Sequence, residues 1–187
     1  ILGAVDYLYP HKYMMEQSFD ELLKDEILSV LESEKREDYE FTLLVLAAAL
    51  QDSHTFSFYK QLSTKRAIFM NSWYPPFDYQ VFEDGILVTE IIVPELCEAH
   101  DLKVGDYITS VNGWPVQKNI SDLSLFLSVS NRQTLIHHLS NYVDNLIWDL
   151  SNKEVNLEIL RGDEKQSKTI PFIGSGDPNL KLLNAYL

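Results

Sequence analysis

The sequence predicts an α+β fold, helical in front and sheet-rich behind, and three observations predict it. Before Asp52, apolar residues recur at three- and four-residue steps, the period of a helix with one buried face. Beyond Pro75-Pro76 the period shortens to two, the mark of half-buried strands. Asp84-Gly85, Asn112-Gly113 and Gly162-Asp163 supply turns between those runs.

The first helix is expected over 19–31. Ser18 and Glu21 stand at capping-box spacing, where each side chain meets a backbone N–H that the first turn leaves without a partner. Phe19, Leu22, Leu23, Ile27, Val30 and Leu31 form its apolar stripe. A charged run over 32–38 reads as a solvated turn, and a second helix over 39–50 packs Leu43, Leu44, Leu46, Ala47 and Leu50 inward, completing a helical hairpin. An aromatic passage then ends at Pro75-Pro76, which can continue neither a helix nor a central strand. The domain boundary is placed at 65–73.

Strands are expected over 79–82, 86–93, 107–111, 155–160 and 169–172. Two helical patterns, 121–129 and 133–150, interrupt them, so the strands read as one sheet with a helical insertion. After Gly174-Ser175-Gly176-Asp177-Pro178, a structure-breaking run, Leu180, Leu182, Leu183, Tyr186 and Leu187 are expected to lack a partner within the chain.

Composition narrows the functional classes. The 187 residues are 45% hydrophobic and 12% aromatic, enough for one moderate core or two small ones. Fifteen basic against 28 acidic residues give a net charge of -13, which repels a phosphate backbone and argues against nucleic acid as a partner. No stretch approaches the roughly 20 apolar residues of a membrane span. Cys97, the single cysteine, reads as a small core residue. His137 and His138 are adjacent, so they point about 100° apart on a helix and do not share a metal ion. No cofactor and no metal are expected, since metal-ligand and phosphate-loop spacings are absent from the sequence.

The most informative segment is Leu102-Lys103-Val104-Gly105-Asp106-Tyr107-Ile108-Thr109-Ser110-Val111-Asn112-Gly113-Trp114-Pro115-Val116. Gly105 suits a tight turn, Ile108 and Val111 point into a core, and Asn112-Gly113 suits a hairpin turn with positive φ at both residues. The segment resembles the signature of PDZ-like domains in bacterial proteases, as does the strand that runs from Gly85 to Pro94. Asp101 stands where that family usually has glycine. The resemblance implies an edge strand that takes up an extended peptide C-terminus by strand addition. By position, Pro76, Phe77, Asp78, Tyr79 and Gln80 would be the loop and strand that bind it. The plainer alternative keeps Phe77 and Tyr79 as core residues, and Asp78 is electrostatically unhelpful next to a carboxylate.

A second motif, Asp52-Ser53-His54-Thr55, closes the second apolar helix. It resembles the Asp-Gly-His-Thr motif before the PDZ-like region of C-terminal processing (tail-specific, tricorn-like) serine peptidases, with Ser53 in place of glycine. That resemblance implies His54 as general base for a serine supplied by a later core domain, with Ser53 orienting or polarising it. The alternative is a histidine capping the helix C-terminus.

Together these segments resemble the part of such a peptidase that precedes its catalytic core. The implied architecture is an N-terminal helical hairpin followed by a PDZ-like, partly open β-barrel with a helical insertion. The helical domain covers 1–65, the PDZ-like domain 66–176 with its insertion at about 119–150, and 177–187 leads to a core absent from this sequence. The implied function is non-catalytic: binding peptide C-termini, or gating their access to a protease core. The chain opens at Ile1 rather than at methionine, which leaves room for a removed export signal or lipid-attachment segment, and the family resemblance implies a periplasmic or exported protein. A stand-alone peptide-binding adaptor, and a non-catalytic relative that docks through its insertion helix, are the competing readings.

Overall fold

In the computed structural model, residues 9, 10, 13, 15, 17–52, 73–141, 153–174 and 177–183 are described. Two compact units are present: Ile1–Ala67 with Leu123–Leu135, and Ile68–Asp122 with Ile136–Leu187.

The first unit is built on helices α1 (Phe19–Glu32) and α2 (Arg36–Ala48). Ser18 caps α1, its Oγ accepting the Glu21 N–H at 3.3 Å. At the start of α2, the Lys35 N–H donates to Asp38 Oδ2 at 3.3 Å. Phe19 and Leu46 form the buried centre between the helices, with Leu22, Leu23, Leu43 and Leu50 against them. Glu40 is buried on α2 and accepts from Arg36 Nε at 2.7 Å, one turn back along the helix. Gln51 then takes a positive φ of 50°, a left-handed step of the kind that ends a helix.

The second unit holds a six-stranded antiparallel sheet in the order β2 (Phe77–Val81), β3 (Ile86–Ile91), β4 (Tyr107–Val111), β6 (Glu154–Arg161), β7 (Glu164–Pro171), with β5 (Trp114–Pro115) paired to β4. A second ladder joins β1 (Trp73–Tyr74) to β8 (Ile173–Gly174). The expected α+β class holds, and among the described residues neither sheet closes into a barrel, with β2 and β7 at the two ends of the strand order. Short helix α3 (Pro94–Glu98) follows β3, with proline in its first turn, where a missing N–H costs nothing. Helices α4 (Val116–Ser124) and α5 (Arg132–Asn141) lie between β5 and β6 in the chain.

Several positions follow from single residues. Asn112 and Gly113 have φ of 51° and 81°, the paired positive values that the β4–β5 turn needs. Gly85 is required for a different reason: a Cβ there would fall on the Tyr107 ring. Asp101, in the usual glycine position, adopts φ 53° and turns its carboxylate into a cluster of cations. Arg161 and Lys168 both reach its Oδ2 at 2.8 Å, and Lys103 reaches Oδ1 at 2.7 Å. Hydrogen bonds from Lys103, Lys168 and Arg161 hold the Asp101 carboxyl well below the usual carboxylate range. Among the described residues, no helix is long and apolar enough to cross a membrane.

Candidate peptide-binding site

Among the described residues strand β2 is an edge strand, and its residues alternate between buried and exposed, Phe77, Tyr79 and Val81 pointing inward and Asp78 and Gln80 outward. The Phe77 ring meets Tyr79 edge-on at 6.3 Å and Phe172 at 6.4 Å, so both aromatic residues belong to the core of this unit. Their side chains anchor the strand. Only the backbone edge and the two polar side chains are placed to meet a ligand.

The Phe82 N–H donates to Gly85 O at 2.8 Å, which fixes the alternation: Gln80 and Phe82 turn their backbone groups toward β3, while Tyr79 and Val81 turn theirs to the outer edge. Those outer N–H groups already have partners. Tyr79 N–H donates to Asp78 Oδ1 at 2.8 Å, and Val81 N–H donates to the Ser140 hydroxyl on α5 at 3.3 Å. Gln80 Nε2 also donates to Ser140 Oγ, at 3.1 Å, and to Val81 O at 3.2 Å. The Ser140 proton goes to Ile136 O at 2.9 Å, which leaves the oxygen's lone pairs to accept from β2. An edge covered in this way resists unplanned pairing, and an incoming strand has to displace the Asp78 carboxylate from Tyr79 and the Ser140 hydroxyl from Val81.

The preceding turn offers little to an anion. Pro75 and Pro76 have no N–H, and the Pro76 carbonyl accepts from the N–H groups of Ile92 at 3.0 Å and Val93 at 2.9 Å and from the Cys97 thiol at 3.6 Å. Cys97 is fully buried and its pKa is pushed up to about 12, by burial first and by Glu98 second, so it is a packed thiol rather than a nucleophile.

Ser53 and His54 lie outside the described residues. The residue before them is held by a contact that the sequence did not signal. Ser128 is fully buried; its Oγ donates to Asp52 O at 3.0 Å and accepts the Asp52 N–H at 3.1 Å. One hydroxyl thus satisfies both backbone groups of the residue on which the Ser53-His54 motif begins. Of the adjacent histidines, His137 is exposed and His138 buried. Burial, and secondarily His137, lower the pKa of His138. Among the described residues, no group of three or more His, Cys, Asp or Glu side chains could hold a metal ion.

No protein-family model matches the chain, and no curated protein matches it. Solved structures do. Mature CPAF complexed with lactacystin aligns with 99% of this chain at a TM-score of 0.59 and 16% identity. The chain shares its fold with part of that protein. It spans 36% of the CPAF chain, about a third of its length. Weaker alignments reach the photosystem II D1 C-terminal processing protease, with a TM-score of 0.37 and 15% identity over 94% of this chain and 42% of that one. An HtrA-type protease, AlgW, solved with a decapeptide, gives a TM-score of 0.34 and 11% identity over 70% of this chain and 35% of that one.

Proposed function

We propose that this chain is the N-terminal helical and PDZ-like portion of a tail-specific serine peptidase, exported or periplasmic, which takes up peptide C-termini and governs their access to a catalytic core. The observation that carries this reading is the β2 edge, whose outer N–H groups at Tyr79 and Val81 are held by exchangeable side-chain oxygens of Asp78 and of Ser140 on α5. The shared fold with part of CPAF and the segment around Gly105-Asp106 and Asn112-Gly113 support it. The incoming peptide adds as a strand beside β2, between it and α5, with Pro76 to Gln80 forming the near wall. In the longer protein His54 acts as general base and Ser53 orients it.

Titration of the isotope-labelled chain with unstructured peptides tests the first part. Backbone amide shifts at Tyr79, Val81 and Ser140 are expected, and Ser140→Ala, which removes the competing hydroxyl, tightens binding. Shifts confined to other segments, or a Ser140→Ala variant that binds no better, sink strand addition at β2. For the second part, His54→Ala in the longer protein should lower peptidase turnover by roughly a thousandfold or more. Unchanged turnover removes His54 from the mechanism.

A further inference from the structure

The helical unit contains a cleft of about 330 Å³ between the C-terminal end of α2 and the segment that leads into α5. Its floor is apolar, from Ala48, Leu127 and Leu135; Gln51, Asn131 and Arg132 bring polar groups to it. The volume sits at the lower end of the range for small-ligand sites, room for one or two residues of a peptide.

Two features give the cleft a sign. Arg132 lines it, and among the described residues its guanidinium has neither an ion pair nor a hydrogen bond. In a chain of net charge -13, an arginine with no carboxylate partner at the wall of a cavity stands out. Arg132 also opens α5, a ten-residue helix whose positive end adds to the same potential. Asn131 caps that helix, its Oδ1 accepting from the Thr134 N–H at 2.9 Å and the Thr134 hydroxyl at 3.0 Å. The cap fixes where the arginine leaves the backbone. The cleft is rigid at its base, because Ser128, between Leu127 and Val129 of the lining, is locked to Asp52 by two hydrogen bonds.

We propose that this cleft is a second ligand site, which binds a carboxylate carried on a small apolar group. Arg132 forms a two-pronged pair with the carboxylate, and the floor of Ala48, Leu127 and Leu135 takes the attached side chain. Such a carboxylate comes either from the free C-terminus of a peptide or from an acidic side chain. The site does not depend on strand addition at β2, which belongs to the other unit.

Three probes separate these sources in NMR titrations of the labelled chain: acetyl-trialanine as free acid, the same peptide as C-terminal amide, and acetyl-glutamate amide. The free acid should shift the amides of Gln51, Asn131 and Arg132 and bind about ten- to a hundredfold more weakly to Arg132→Gln, the loss that accompanies a missing charge-assisted pair. Arg132→Lys should keep part of the affinity. Equal binding of acetyl-glutamate amide assigns the site to carboxylates in general; its failure beside a binding free acid assigns it to peptide ends. Equal binding of acid and amide peptides, indifference to Arg132→Gln, or no shift at these residues with any probe overturns the proposal. Since Arg132 is exposed, a far-ultraviolet spectrum and urea midpoint matching the parent protein show that the variant is folded.

Discussion

Arg161 grips the buried carboxylate of Asp106 with two parallel hydrogen bonds, Nε to Oδ1 at 2.7 Å and Nη2 to Oδ2 at 2.8 Å. Asp106 is 1% exposed, and its Oδ2 also accepts the Lys103 N–H at 2.9 Å. The pair ties the turn before β4 to the end of β6, and Asp106 and then Asp101 raise the arginine's pKa. A buried pair contributes little beyond a hydrophobic replacement, but loss of one partner leaves a charge without compensation.

Arg161→Ala is therefore expected to destabilise the second unit by about 3 kcal/mol, read from urea unfolding. Arg161→Lys should recover only part of the loss, because an ammonium cannot make the two parallel bonds. If lysine restores full stability, the fork geometry carries no weight and only the charge matters.

Gly85 makes a sterically decided prediction. The Tyr107 ring fills the space of a Gly85 Cβ, and its hydroxyl donates to Asp84 Oδ1 at 2.6 Å, which fixes the ring there. Gly85→Ala should cost roughly 1–3 kcal/mol through overpacking. The cost should largely vanish in a Tyr107→Ala background, so a double-mutant cycle in urea is the check; additive losses would mean the ring is not the cause.

Much of the fold was legible because local chemistry dictated it. Capping by Ser18, the stripe from Phe19 to Leu31 and the Asn112-Gly113 turn depend on neighbours in sequence, and α1, β4 and that turn appear where the pattern put them. Strand β7 was expected only at 169–172 but runs Glu164–Pro171; as a sheet edge it is largely exposed, so its polar first half has no apolar alternation to reveal it. The helix expected at 121–129 forms instead as Val116–Ser124, where Val116 and Ile120 are fully buried one turn apart and Pro115 precedes the first turn. The helix expected at 133–150 is seen as Arg132–Asn141, and 142–150 fall outside the described residues. At the candidate site the strand was legible, but its cover was not. Ser140 meets Val81 at a sequence separation of 59, and Ser128 meets Asp52 at a separation of 76; single serines carry no signal at such separations.

Ser128→Ala tests the second of these contacts. It removes one partner shared by both backbone groups of the half-buried Asp52, and since a fully buried polar group left without a partner costs about 1–3 kcal/mol, a loss of about 1 kcal/mol is expected. Faster amide exchange should be confined to the end of α2 and the Asp52 region, with strands β3, β4 and β6 unchanged. Faster exchange throughout the sheet would show that the clamp supports more than its own unit.

The pH dependence should separate His138 from the carboxylates. Burial lowers the His138 pKa below its ordinary 6.5, with His137 adding to the effect, so the folded state favours the neutral ring. The unfolded chain then binds more protons than the folded one once pH falls below about 6.5, and stability declines from there as pH drops toward the folded-state pKa. Asp101 acts in a lower window: its pKa is depressed from 3.8, so its contribution is present above that value and is lost only as pH falls further. Urea midpoints measured from pH 7.5 down to 5 should therefore decline in the parent protein, and less so in His138→Gln, while Asp101→Asn keeps the parent slope over that range. A slope that His138→Gln leaves untouched would mean that groups other than His138 set the decline over this range.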